Sequence, residues 1–565
     1  LLYFESIIQA LQAYDSSLTR EMIAFATPPS LEMGDVAIPM FSIAKTRKTS
    51  PVALAQELAA QVDFGIDVRE ALAAGPYVNL KLNRDRVGYQ IVDAVFRQKE
   101  AWGSTSAGRG KRVLIEHTSI NPNASPHVGR GRCALIGDSL TRLLRFEGYE
   151  VEVHYYVNDM GRQIGLLALL AEEFENVSFE QILEIYVAAN KRAQEDPDFA
   201  NEGYALLAKI EAGDEKVREK FFHITRLCLQ GQLEVLHRIG ARYDKFDHES
   251  AYVNDPRLAH IENALEEKNA LFTDEDGRRV VDLAQLGYTA EEGRYFVLKR
   301  ANGSSMYGCR DLLYSQDKYE SGADINLMVL GEDHKLYAQQ LALILQAAGI
   351  ESPEVVYYSY ILLSDGKMST RQGKVVLLSS FLDQAAARAL LRVQEQFPDL
   401  PEEEQQTIAE QVAVSAIRFA VLRVKPTKNV VFDMDTALSF QGDTGPYIQY
   451  CCTRIRSILR KWGEAVPEPT TDDFVVQTDS EWALLHAVAG FPKIISESVV
   501  QRSCAPLANY VLDLAHLFTK FYHECPVLSV AENKVLNTRL QLCEVVLQTL
   551  SNALNVLGID TPERM

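Results

Sequence analysis

Apolar residues follow two rhythms along this chain, and the change between them locates its parts. Over Val113-Leu-Ile-Glu116 the run is short and uninterrupted, as a parallel strand covered on both faces requires. A polar, proline-containing loop follows, then apolar residues return at helical spacing from Ala134 to Phe146 until Gly148 ends the helix. Residues 149–157 read as the next strand. Strand, loop, helix and strand within about forty residues form one βαβ unit of a doubly wound sheet. A second α/β set is predicted from the strand 325–331, the helix 339–350 and the strand 354–363, and helical spacing dominates 163–270.

The flanks behave differently. The first ~80 residues predict helix, turn, helix and strand. The first helix runs over 9–26, Pro28-Pro29 breaks it, a second opens at Ser50-Pro51, and the strand 77–82 follows Gly75-Pro76. The stretch 103–111 is small, polar and basic, which suits a linker. A proline and glutamate cluster at 397–406 marks a second boundary, and beyond it nearly everything is amphipathic helix apart from the polar loop 467–480. The expected architecture is an α+β leader over 1–108, an α/β core over 109–396 with a helical insertion at 165–270, and an all-α bundle over 405–565.

A net charge of −20 argues against a protein that coats nucleic acid without selectivity. Most of that charge falls between the two flanks, which are themselves near neutral and leave room for local basic faces. No apolar run approaches the ~18–20 residues of a membrane span. The amphipathic start predicts no targeting segment. The 8 cysteines contain no C-x-x-C pair, so neither a zinc site nor a disulfide framework is signalled, which suits a reducing cytoplasm.

Four segments carry candidate chemistry. Residues 116–132 lie between the end of a buried strand and the start of a helix, where open α/β sheets bind ligands and a helix N-terminus favours phosphate. Gly129 and Gly131 permit close backbone approach there, and His127, Arg130 and Arg132 offer donors or cations; a glycine-rich turn with solvated arginines is the bland reading. Residues 364–374 hold Lys367, Arg371 and Lys374 beside Ser369 and Thr370, a composition for either a phosphate clamp or an exposed basic turn. Tyr307 and Asp311 stand one helical turn apart, an aromatic ring and a carboxylate that could together hold a cationic group; a surface pair is the alternative. Finally, Tyr447 and Tyr450 precede Arg454, Arg456 and Arg460, a set suited to stacking on single-stranded bases or to helix packing.

Pro126-His127-Val-Gly129-Arg130 resembles the His-Ile-Gly-His signature of the class I aminoacyl-tRNA synthetases, with arginine where the second histidine of that signature stands. The string from Ile136 to Ile164 looks like the arginine-specific branch, as do Tyr307-Gly-Cys-Arg-Asp311 and Gly331-Glu-Asp333-His334. Lys367-Met368-Ser369-Thr370-Arg371 resembles the family's Lys-Met-Ser-Lys-Ser loop, and it follows the second α/β half in the order the family requires. The leader, the helix opening at Thr444-Gly-Pro-Tyr447 and the ending Leu557-Gly-Ile-Asp-Thr-Pro-Glu-Arg-Met565 extend the likeness across the chain.

That resemblance implies a Rossmann-like core, a leader that binds the tRNA elbow and a bundle that binds the anticodon. It implies activation of arginine by ATP with Mg²⁺ and transfer to tRNA, which must bind before activation. His127, Arg130, Lys367 and Arg371 would be catalytic, and His127, Gly129, Arg130, Met368 and Ser369 would hold ATP. Glu116, Asn121, Tyr307, Asp311 and Asp333 would hold arginine, with Asn158, Asp159 and the 161–163 turn lining the site. Tyr447, Gln449, Tyr450 and Met565 would touch tRNA. No structural metal and no membrane partner are expected, and the chain is expected to be a cytoplasmic monomer. The rival reading is a non-catalytic paralogue that binds RNA or arginine, which Arg130 alone favours.

Overall fold

The computed structural model describes residues 2–122, 125–170, 177–363 and 376–564. Its centre is a five-stranded sheet in the spatial order Glu354–Tyr358, Ile325–Gly331, Arg112–Glu116, Glu150–Val157, Lys245–His248, with every pair parallel. The chain builds outward from Arg112–Glu116 in one direction, then returns to its other side with Ile325–Gly331. The strand order therefore reverses beside Glu116, and open α/β sheets place their ligands in the crevice at such a point.

The helix Val128–Phe146 is buried along most of its length and packs on this sheet. Helices Arg162–Ala168, Phe179–Glu195, Pro197–Glu211 and Glu215–Arg238 form a separate cluster around Ile164, Leu167, Phe221 and Ile224. The expected insertion to 270 is too long: the chain rejoins the central sheet at Lys245–His248, a strand of 4 residues that is too short to show a periodicity of its own. A three-stranded antiparallel sheet over Leu271–Thr273, Arg279–Asp282 and Tyr295–Lys299 follows.

Three further expectations need correction. The first helix ends at Tyr14, and Val36–Pro39 is a strand against Tyr77–Leu82. The predicted strand 354–363 is two strands, because Ile361–Leu363 leaves the central sheet to pair with Val430–Phe432. That pairing crosses the expected boundary at 397–406, and the helices on either side of it, Leu378–Gln396 and Glu402–Leu422, pack on each other.

The C-terminal helices Gly445–Trp462, Asp479–Val500, Ala505–Glu524 and Asn533–Leu557 pack as a bundle. One of them, Asp479–Val500, is long and apolar enough to cross a membrane by length and composition. It turns Trp482, Leu485, Val488, Phe491 and Ile495 into the bundle core. One continuous apolar core joins the leader, the helix Val128–Phe146 and this bundle. Arg418, fully buried, fastens the same joint by donating to Asp138 Oδ2 at 2.6 Å, Ser139 Oγ at 3.0 Å and the carbonyls of Leu557 and Ile239. Gly558 makes this possible: its φ is +68°, and a Cβ there would lie 2.2 Å from the Arg418 guanidinium.

Candidate active site

His127 is the N-cap of the helix Val128–Phe146, and its Nδ1 accepts the backbone N–H of Arg130 at 3.3 Å. Burial, aided by the nearby Arg130 charge, pushes the imidazole pKa below its ordinary value. A neutral ring accepting at Nδ1 carries its proton on Nε2, so the free edge is a hydrogen-bond donor held at a helix N-terminus. Gly129 keeps that ring in place, since a Cβ would meet its Cε1 and Nδ1 at 3.0 Å. Arg130 is half-buried and lines a cavity of about 1140 Å³ at the strand-order reversal.

Arg132 corrects the expectation of a third phosphate donor. It is fully buried, and it donates to the carbonyls of Ser359 at 2.5 Å, Tyr360 at 3.0 Å, Pro426 at 3.0 Å and Lys428 at 2.7 Å. Two residues along a helix is about 200°, so Arg130 and Arg132 face opposite ways.

Lys367, Met368, Ser369 and Arg371 lie outside the described residues, but both flanks of their segment are placed. On the near side stands Ile361–Leu363, preceded by the two carbonyls that Arg132 holds. On the far side Val128 N–H donates to Val376 O at 3.1 Å, and Leu378 N–H donates to Pro126 O at 2.7 Å. Two segments about 250 residues apart are thus hydrogen-bonded side by side, with Leu377 opposite His127.

The other end of the cavity is lined by carboxylates. Glu116, at the C-terminal end of its strand, pairs with the buried Lys318 at 2.5 Å. Asp311 projects from the helix Tyr307–Glu320, and Tyr337 donates to its Oδ2 at 2.5 Å. Packing away from water raises the Asp311 carboxyl pKa, with the Tyr337 hydrogen bond opposing and the Glu116 charge adding. Tyr307 is 54% exposed at the rim, its ring 5.4 Å from that of Tyr337. Asn121 lines the cavity and accepts from Asn158 Nδ2 at 3.0 Å. Asp333 does not join them: its side chain is 61% exposed and stands outside the lining, because it opens the turn after Gly331 and folds back along that turn. Asp159 caps no helix, and instead accepts from Ser250 N–H at 2.8 Å and Ser250 Oγ at 2.6 Å, with His248 at 3.0 Å.

Three groups were invisible to motif reading. Tyr337, Lys318 and Glu249 all line the cavity, and Glu249 accepts from Arg310 at 2.6 Å. Burial, opposed by Arg310, pushes the Glu249 carboxyl up to about 7. Lys318 had a weak signal, being seven residues after Asp311 and therefore on the same helix face. Glu249 had none, since it reaches the site only through the four-residue strand 245–248.

In the C-terminal bundle, Tyr447 and Tyr450 are half-buried near the start of the helix Gly445–Trp462, with Arg454 4.8 Å above the Tyr450 ring and 5.0 Å above that of Tyr522. Gln449 is corrected: it is fully buried and donates to Asp560 O at 2.6 Å, so its side chain holds the C-terminal segment and presents nothing to solvent. Arg456 and Arg460 likewise donate to Pro562 O at 3.0 Å and Glu563 O at 3.1 Å. Met565 lies outside the described residues.

Three family models match the chain. One described as tRNA synthetases class I (R), catalytic domain, covers residues 91–434. A DALR anticodon binding domain covers 448–565, and an arginyl tRNA synthetase N terminal domain covers 3–82. A protein named arginine–tRNA ligase from Methanococcus aeolicus is 33% identical over 574 residues, spanning 99% of each chain. Another of that name from Methanosarcina acetivorans is 37% identical over 538 residues, 93% of each. The solved arginyl-tRNA synthetase of Thermus thermophilus superposes with a TM-score of 0.78 at 28% identity, over 99% of each chain.

Proposed function

The chain belongs to the class I arginine-specific tRNA synthetases, and from that membership we propose that it activates arginine with ATP and loads it onto tRNA. The observation that carries the substrate is Asp311: among the described residues no cation stands within ion-pair distance of its carboxylate, while Glu116 and Glu249 each hold one. A partly buried carboxylate without a counter-charge fits a ligand that brings the guanidinium. Asn121 and Glu116, at the strand end, would then orient the amino-acid end towards His127.

In this reading the arginine carboxylate attacks the α-phosphorus of ATP in line, pyrophosphate leaves, and no bond to the protein forms. Magnesium arrives with ATP as part of the substrate. His127 would donate from Nε2 to a phosphate oxygen, Arg130 would add a permanent charge, and Lys367 and Arg371 would neutralise the leaving pyrophosphate. A hydroxyl of the terminal tRNA adenosine then attacks the adenylate carbonyl and AMP departs. We assign the tRNA elbow to the leader over 1–108, the chemistry to 109–396 together with the strand 430–432, and the anticodon to Tyr447, Tyr450, Arg454 and Met565 in the bundle. The reading takes the chain as a cytoplasmic monomer, and its eight buried free cysteines suit reducing surroundings.

Charging of tRNA with radiolabelled arginine tests this directly. The expected result is ATP-dependent, arginine-specific incorporation; arginine or RNA binding without incorporation would make the chain the non-catalytic paralogue.

Arg130 stands where the family signature has its second histidine, so its removal is informative. Arg130→Ala should raise the ATP KM or lower kcat by about tenfold or more, since a charge beside phosphate is lost. Arg130→His should retain much of the activity. Charging within about twofold of the parent for both variants would mean that the guanidinium faces solvent and backbone alone holds ATP.

A further inference from the structure

The helix Glu215–Arg238 belongs to two cores at once. Its first half turns Val217, Phe221, Ile224 and Cys228 into the insertion cluster, and its end carries Leu236 into the cluster that holds Ile120 and Tyr155 beside the central sheet. Gln232 stands where one core gives way to the other. Cys228, Gln232 and Leu236 are four residues apart and share one helix face, so an apolar residue at 232 would continue the stripe, and packing alone calls for no amide there. Gln232 is nevertheless fully buried, and a buried amide is costly unless it is hydrogen-bonded. Its Nε2 donates to the carbonyl of Asn121 at 3.0 Å, and its Oε1 accepts from the Tyr155 hydroxyl at 3.2 Å. That hydroxyl in turn accepts the backbone N–H of Ile120 at 3.2 Å. The main chain at 120–121 is thus held at both its N–H and its carbonyl, and the Asn121 side chain, tied to Asn158, lines the cavity.

The insertion reaches the same point from its own side. Phe179, which opens the helix Phe179–Glu195, lies against Gly231, where a Cβ would stand 2.2 Å from its ring. Farther along that helix Tyr186, Asn190 and Gln194 line the cavity. We infer that Gln232 is a positioning residue for arginine, which holds the main chain of Asn121 and makes the arginine site answer to the seating of the helical insertion. The inference rests on the arginine reading above, in which Asn121 orients the amino-acid end. What establishes such a chain of contacts is energetic coupling between its members, beyond their adjacency.

Steady-state charging by the full chain, with tRNA and ATP present, tests this beside a thermal melt. Gln232→Met fills the same space and makes neither hydrogen bond. Its arginine KM should rise about tenfold, with the ATP KM within about twofold of the parent. Phe179→Ala leaves Gln232 in place but removes the ring that seats the insertion beside it, and should raise the arginine KM about threefold. The double variant should be no worse than Gln232→Met alone, because both changes act through one contact. A purely structural role would lower the melting temperature of both variants and leave the arginine KM where it was, which overturns the inference. Equal rises in the arginine and ATP KM would overturn it too, since the site as a whole would then have loosened. Losses that add in the double variant would overturn the link to the insertion. Should Gln232→Met fail to fold, Phe179→Ala decides: a rise confined to the arginine KM supports the inference, and an unaltered one overturns it. A parent that charges no arginine would overturn the functional reading and this inference with it, whereas an active parent with unaltered variants overturns the inference alone.

Discussion

An Asp311→Asn chain is expected to charge arginine about a hundredfold less efficiently, with the loss concentrated in the arginine KM. Asparagine keeps the shape and can still accept from Tyr337, whose hydroxyl holds Oδ2 at 2.5 Å. What it removes is the charge, and with it the ionic half of a bidentate pair worth about 2–4 kcal/mol. The free protein should respond in the opposite direction. Burial raises the Asp311 carboxyl pKa in the folded state. A carboxyl raised on folding is favourable while protonated, and that contribution is lost as pH climbs through its folded value. At neutral pH the ionised group therefore weakens the ligand-free fold, so Asp311→Asn should melt no lower than the parent. Steady-state kinetics beside a thermal melt reads both. An unchanged arginine KM would remove Asp311 from the guanidinium site, and a marked fall in melting temperature would make it a structural residue.

The sequence made the frame of this site readable because its parts are local. The strand Arg112–Glu116 has the continuous apolar run Val113-Leu-Ile115 at its centre, and the helix after it begins at a glycine-rich turn and is closed by Gly148. Tyr307 and Asp311 share one helix face, so their spacing alone placed them together. What escaped was decided at long range. Gln449 sits between Tyr447 and Tyr450 in sequence, yet it is buried because the C-terminal segment returns over that face of the helix with Asp560. The basic stripe was legible as charge, but two of its arginines are spent on Pro562 and Glu563, more than a hundred residues away. Glu249 became a pocket group only through the register of a sheet, which leaves no spacing to read, and Lys318 left only its seven-residue distance from Asp311. The separation between the apparent core and the apparent bundle failed for a similar reason, since three residues at Val430–Phe432 complete a ladder begun at Ile361.

Arg132→Met should be the most disruptive single change near the chemistry, and Arg132→Lys the more instructive one. The guanidinium is fully buried and serves as the donor for carbonyls from two separate segments, 359–360 and 425–428. Methionine fills the stem but leaves those carbonyls unpaired away from water, which costs about 3–5 kcal/mol for a broken buried polar cluster. Low soluble yield or a clearly lower melting temperature is the expected outcome. Lysine keeps a charge on a stem of similar reach, but three donors on one point cannot fork to both segments. Burial already pushes the Arg132 guanidinium down to about 10. A lysine in its place starts from a lower ordinary value, so the same burial brings it closer to neutrality and weakens the latch further as pH rises. The segment at stake, Ser359–Tyr360, leads through Ile361–Leu363 to the stretch of sequence that carries Lys367 and Arg371. Arg132→Lys should therefore fold, hold arginine with an unaltered KM, and lose about tenfold or more in the kcat of ATP-dependent activation, the loss deepening towards alkaline pH. A kcat equal to the parent's across pH would show that Arg132 serves folding alone, whereas a shift in arginine KM with kcat intact would mean that the latch governs the amino-acid end and leaves the phosphate loop untouched.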